Sequence, residues 1–175
     1  MESNTVFILI GATAAIALTS VFVYFIMRWM RGSITLYMPN AAFNRGDTIK
    51  GSFELLTRKA LQGNKLIVTL IGEKVTRYYE NDERKTRRRE VYRSEKLIEQ
   101  AREYPAGHNA KYEFEIEIPG GSAEAPAIDP AFVQILSAAS QLLNDRETYY
   151  EWRIEARLDA KGVDLAKSQK ISINL

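Results

Sequence analysis

The residue types that carry most protein chemistry are scarce in this chain. It has 175 residues, no cysteine and one histidine, His108. Without thiols there is no disulfide, no thiolate metal site and no cysteine nucleophile, a composition that fits a reducing compartment. A histidine-paired triad has a single candidate base, and a multi-histidine metal site is excluded. His108 stands in Gly107-His108-Asn109, where no nucleophile motif sets a serine or carboxylate beside it, and it reads as a loop histidine. Glu113, Glu115 and Glu117 recur at every second position, so on a strand they line one face about 7 Å apart. Such spacing spreads carboxylates along a solvated surface, whereas a calcium loop needs converging oxygens. Gly120-Gly121-Ser122 lacks the Lys-Ser/Thr that completes a phosphate loop and reads as a linker. These residues predict no catalysis, no cofactor and no metal.

One charged constellation remains. Arg84, Lys85, Arg87, Arg88, Arg89 and Arg93 cluster beside Tyr78, Tyr79 and Tyr92, diluted by Glu80, Asp82, Glu83 and Glu90. The whole chain carries 24 basic and 22 acidic side chains, net +2, which does not mark a nucleic-acid binder. With strands through 74–79 and 90–96, the Asn81–Arg89 tip has no apolar residue to hold it down and projects from the domain. Near a bilayer each basic residue is worth about 1 kcal/mol, fading within a Debye length. The tip is therefore expected to meet anionic headgroups or an acidic partner, the alternative being a free solvated loop.

The elements that position this cluster alternate with period two, the mark of half-buried strands. Seven strands are expected. Ser33–Met38, Thr48–Leu56 and Lys65–Tyr79 come first, the last with an apolar run, Leu66–Gly72, that reads as covered on both faces. Glu90–Ala101 is weaker. In Lys111–Ile118, Tyr112, Phe114, Ile116 and Ile118 point inward. Tyr149–Leu158 points Tyr150, Trp152, Ile154, Ala156 and Leu158 inward, and Lys170–Leu175 closes the set. Gly51 and Gly72 inside strands mark a bulge or a close backbone approach, and Gly46 suits a turn of positive φ. A helix is expected near 129–144: Asp129 caps it, Pro130 takes its first position, and Phe132, Ile135, Leu136, Ala139, Leu142 and Leu143 form an apolar stripe. Seven strands with turn punctuation point to a β-sandwich.

Ahead of the sandwich lies a different kind of segment. Val6–Met27 has no charge, and its 22 positions at about 1.5 Å each span roughly 33 Å, enough to cross a hydrocarbon core. The preceding MESNT has no basic residue, and bulky Tyr24–Met27 followed by Arg28 replaces the small-residue cleavage site of a signal peptide. An uncleaved anchor is the reading. Arg28 and Arg31 follow the span and Glu2 alone precedes it, so the positive-inside rule puts the C-terminal side in the cytoplasm. Arg28, Trp29 and Arg31 are the expected membrane-interface residues. The layout is a 1–5 non-cytoplasmic tail, a 6–27 transmembrane helix, a 28–32 linker and a 33–175 β-domain.

Four stretches of that domain carry a resemblance. Tyr37-Met38-Pro39 through Arg45-Gly46-Asp47-Thr48-Ile49-Lys50-Gly51, then Leu66–Gly72, then Gly107-His108 leading to Tyr112–Pro119, then Tyr150–Asp159, in this order, resemble the arrestin-like superfamily. The resemblance implies a mainly β, arrestin-like (immunoglobulin-like) sandwich and a non-catalytic adaptor or scaffold that binds proteins through sheet edges and loops. The chain has room for one sandwich where arrestins carry two. Ser33–Met38 holds no basic residue, so no phosphate site is carried over. The anchor and the helix after Pro119 are additions to the family plan. The expected function is a single-pass membrane-anchored adaptor with protein partners on the cytoplasmic face. The alternative is a structural subunit of a membrane complex that self-assembles as a homo-oligomer through its β-domain.

Overall fold

The structure, a computed structural model, describes residues 26, 29–81, 83–119 and 147–174. Among them no helix is long and apolar enough to cross a membrane. The expected span, apart from Ile26, lies outside the described residues, as do Arg28, the Gly120–Ser122 linker and the expected 129–144 helix.

Among the described residues nine strands form where seven were expected: β1 Gly32–Tyr37, β2 Ala42–Asn44, β3 Thr48–Thr57, β4 Leu61–Glu80, β5 Glu83–Glu99, β6 Arg102–Tyr104, β7 Asn109–Glu117, β8 Glu147–Ala160 and β9 Leu165–Asn174. One sheet has the order β1-β3-β7; the other runs β2-β9-β8-β4-β5, with β6 also pairing β4. All pairings are antiparallel except β2 with β9. The added strands β2 and β6 are three residues each, too short to show a period. The weak strand expected at Glu90–Ala101 begins seven residues earlier, at Glu83.

The two sheets meet through the residues that alternate inward. Phe53, Leu55, Leu66, Leu70, Ile154 and Leu158 are fully buried between them, with Phe114 and Trp152 nearly so. The face expectations for Trp152, Phe114, Ile116 and Ile118 hold, while Tyr112 and Tyr150 are only half-buried at the rim. Strand β4 is buried on both sides as expected: Ile67, Thr69 and Ile71 point away from the second sheet yet are 5%, 1% and 1% exposed. Ile67 and Thr69 floor a polar depression of about 300 Å³ ringed by Lys65, Arg93, Glu95 and Arg157, and the aliphatic stems of such long side chains shield apolar surface.

Gly72 shows why a glycine stands in this strand. A Cβ there would lie 2.6 Å from Cζ3 of Trp152, because the indole lies flat across the backbone. Tyr92 on β5 meets the same indole at 5.7 Å between ring centroids. The β4–β5 register shifts between Gly72 and Glu73, leaving Val91 as an extra residue. Close approach and bulge coincide where the two-layer core ends, and Gly46 has its expected positive φ of 77° in the turn before β3.

Beyond Gly72 the strands continue, and among the described residues no second layer covers them. β4 runs eight more residues, Glu73–Glu80, which at about 3.3 Å per residue extends it by roughly 26 Å. β5 pairs with it from Glu83 to Glu90, and β8 from Glu147 to Glu151. The result is a three-stranded arm closed by a tight turn in which Asn81 has φ 53°.

Candidate partner-binding surface

The arm carries the basic cluster, and its two faces treat charge differently. The register assigns residues to faces: odd-numbered β4 positions 73–79, with Arg84, Thr86, Arg88 and Glu90 of β5 and Tyr149 and Glu151 of β8, lie on the outer face, away from the second sheet. Here the charges interlock. Arg88 bonds Glu151 at 2.5 Å and reaches Glu73 at 3.6 Å. Arg153 bonds Glu73 at 2.5 Å, and Lys170 on β9 reaches Glu151 at 3.3 Å. Arg93 takes Glu90 at 2.8 Å and Glu95 at 3.3 Å, and Arg77 lies over the Tyr149 ring at 4.8 Å. The hydrogen bond and charge of Arg93 hold the Glu90 carboxyl below its usual range, and Arg88, then Lys170, do the same to Glu151. Arg88 and Arg93 are raised in return by those carboxylates.

The inner face is the continuation of the core side. Lys74, Thr76 and Tyr78 of β4 lie opposite Arg89, Arg87 and Lys85 of β5, with Thr148 and Tyr150 of β8 on the other flank. Lys85 pairs with Glu80 at 2.6 Å near the turn. Lys74, Arg87 and Arg89 have no ion-pair partner among the described residues. Lys74 and Arg89 are directly opposed, and like charges so placed are destabilising. Tyr78 and Tyr150 are half-buried beside them, and burial raises the Tyr150 phenol.

So the six basic residues singled out from sequence do not act as one group. Arg88 and Arg93 belong to the outer lattice, Arg84 shares that face, Lys85 is tied to the turn, and Arg87 and Arg89 stand open on the inner face. Nor is the Arg84–Arg89 stretch a loop tip; it is strand, with the turn confined to the residues between Glu80 and Glu83. Lys74 was missed because its significance lies in its register against Arg89.

The expected membrane-interface residues stand at the other end. Trp29–Arg31 form a helical turn leading into β1. The Arg31 guanidinium donates to the carbonyls of Lys161 and Val163, both at 2.7 Å, in the β8–β9 turn. Arg58 donates to the Trp29 carbonyl, lies over the indole at 4.5 Å, and donates its backbone N–H to the Arg31 carbonyl at 2.8 Å. Arg31 is thus built into the domain, while Trp29 remains 67% exposed. From this root β4 runs from Leu61 to the arm's turn after Glu80. The 17 steps from Gly63, paired beside the root, to Glu80 cover roughly 55 Å.

His108 lies at the root end too. Its Nε2 is 3.4 Å from the Tyr112 hydroxyl, and its ring meets Tyr104 edge-on at 5.4 Å. The Tyr104 and Tyr112 hydroxyls both donate to Oε2 of Glu99, at 2.8 and 3.0 Å, and Arg102 bonds the other oxygen at 2.7 Å. Burial, then the Glu99 carboxylate, pushes Tyr112 up to about 12 and raises Tyr104 further. The cluster joins β5, β6 and β7 and so ties the two sheets together; it holds no nucleophile with a lowered pKa. Among the described residues no three histidines or carboxylates gather closely enough to hold a metal ion. Glu115, one of the three alternating glutamates, pairs with Lys50 at 3.1 Å.

No family model matches the chain, and no curated protein sequence matches it. Its structure is similar to the crystal structure of Spo0M, a sporulation control protein from Bacillus subtilis, with a TM-score of 0.53 and 12% sequence identity. The match covers 83% of this chain and 50% of that chain, so this chain spans about half of Spo0M. The likeness shows the fold: the β-sandwich is arrestin-like, as the ordered strand motifs implied.

Proposed function

We propose that the chain is a single-pass membrane-anchored adaptor that binds protein partners at the cytoplasmic face and catalyses nothing. One observation supports this best: the domain is rooted at Trp29–Arg31 and carries the open cations of its arm, Lys74, Arg87 and Arg89, roughly 36–43 Å of strand away. The uncharged 6–27 stretch with its basic flank supplies the anchor in this reading. Cations so placed lie several Debye lengths along the strand from the entry point, which weakens the proximity argument for headgroup contact. A protein partner becomes the better occupant.

The test is topology plus capture. A reporter fused after Leu175 is expected to be active only in the cytoplasm. A photo-crosslinker at Thr86, on the arm, is expected to trap a defined membrane-associated protein. An exported C-terminus, or no protein trapped in intact cells, refutes the adaptor.

A further inference from the structure

The outer edge of β5 is open. It ends its sheet, and among the described residues no strand pairs with it on the side away from β4. An open edge of 17 residues is a template for another strand, which soluble proteins usually blunt. Here the blunting is selective. An antiparallel pairing of two copies sets residues of the same face opposite one another; centred on Thr86 it brings Arg84 to Arg88, Lys85 to Arg87 and Glu83 to Arg89. The Arg84–Arg88 and Lys85–Arg87 contacts, each made twice, outweigh the Glu83–Arg89 contact, so a second copy is repelled. A strand of opposite charge is not.

Resting on the adaptor reading, we propose that this edge takes up an extended acidic segment of the partner protein, with carboxylates at alternate positions beside Arg87 and Arg89. The two arginines are one side-chain repeat apart on the inner face, roughly 7 Å, which is the spacing of alternate residues in the added strand. Their exposed guanidiniums lack ion-pair partners among the described residues, and Lys74 opposite Arg89 adds a third cation to the same face. Two anions placed there relieve the Lys74–Arg89 opposition that the fold otherwise tolerates. The outer face offers no such opening, because Arg88 and Arg93 are already held by Glu73, Glu90, Glu95 and Glu151. A polypeptide fits better than nucleic acid, since Glu80 and Glu83 at the end of the inner face repel a continuing phosphate chain. Main-chain pairing supplies affinity and the alternate carboxylates supply selection.

The probe is a fluorescein-labelled peptide of alternating glutamate and threonine, titrated into the full chain in neutral detergent and read by anisotropy. Binding is expected at low salt. It should weaken about tenfold or more in Arg87→Gln/Arg89→Gln, survive in Arg87→Lys/Arg89→Lys, and be unchanged in Lys170→Gln on the outer face. Methylating alternate backbone nitrogens of the peptide should abolish it. Circular dichroism of the Gln variant should match the parent, because neither arginine has an ion-pair partner to lose among the described residues. Equal loss in Lys170→Gln would mean that net charge alone is read and would overturn the proposal. So would indifference to backbone methylation, tighter binding of phosphatidylserine vesicles or single-stranded RNA, or dimerisation abolished by the same double substitution. Partners still trapped in the Gln variant would leave the adaptor standing without this site, whereas an absence of trapped partners in the parent removes the adaptor itself.

Discussion

Gly72→Ala tests the packing at the joint between core and arm. The added methyl carbon would sit 2.6, 2.8 and 3.0 Å from three atoms of the Trp152 benzo ring. Ordinary carbon–carbon contact is about 3.5–4.0 Å, so something must move by roughly 1 Å. The indole has little room, being 3% exposed and flanked by Tyr92. Overpacking of this kind costs about 1–3 kcal/mol. Alanine returns about 0.4–1 kcal/mol by restricting the unfolded chain. A net loss of about 0.5–2 kcal/mol remains, which for a domain of this size lowers Tm by roughly 1–8 °C. Thermal unfolding followed by far-ultraviolet circular dichroism reads it. The decisive comparison repeats the substitution in a Trp152→Phe background, where the outer ring atoms are gone. The penalty should then shrink by at least half. A penalty of the same size in both backgrounds, or none in the parent, would show that the indole does not lie across Gly72.

Arg31→Ala removes two charge-assisted bonds to the Lys161 and Val163 carbonyls and should cost about 1–2 kcal/mol in denaturant unfolding, with Arg31→Lys in between; no change would mean the root bonds are not formed. Glu90 and Glu151 titrate below their unfolded value of about 4.5, so the unfolded chain binds more protons in that window. Their contribution is complete above about pH 4.5 and is lost as pH falls through the folded values; Tm against pH should drop there, less steeply in Arg88→Gln. Tyr112 behaves in the opposite sense: its pKa is raised from 10.0 to about 12, so its contribution is complete below pH 10 and is lost as pH rises towards 12. Ultraviolet titration should find a late phenol that Tyr112→Phe deletes, and an unchanged late phase would refute the Glu99 cluster.

The core was legible because its strands are half-buried: Phe53, Phe114, Trp152 and Ile154 each sit between polar neighbours that face out, and alternation reports that directly. Residues 83–89 were not legible as strand because none of the described residues covers either face; they are extended through pairing with β4, which leaves no hydrophobic period. The same holds for the first half of β9, where Lys167 and Ser168 interrupt any pattern. The cluster's composition was plain from the run of arginines, but its division was not, since Glu73, Glu151 and Lys170 arrive from other strands. Arg31 looked like an interfacial residue because a basic flank after an apolar span usually is one. Its real partners lie 130 and 132 residues away, beyond any local reading.

The β2–β9 pairing and the Arg31 bonds set an order of events during synthesis. Ala42–Asn44 pairs with Ser172–Asn174, and Arg31 bonds Lys161 and Val163. At about 5–20 residues per second, the 130 residues from Arg31 to Lys161 take roughly 6–26 s to make. From the completion of Ile71 until β8 emerges, the apolar run Leu66–Ile71 has an unpaired flank. Its other flank is closed early, because β5 follows β4 at once through a tight turn. The first strand to cover the stickiest stretch of the nascent chain is therefore also the most basic one, and a charged neighbour beside an exposed apolar strand is what keeps such intermediates from pairing with one another.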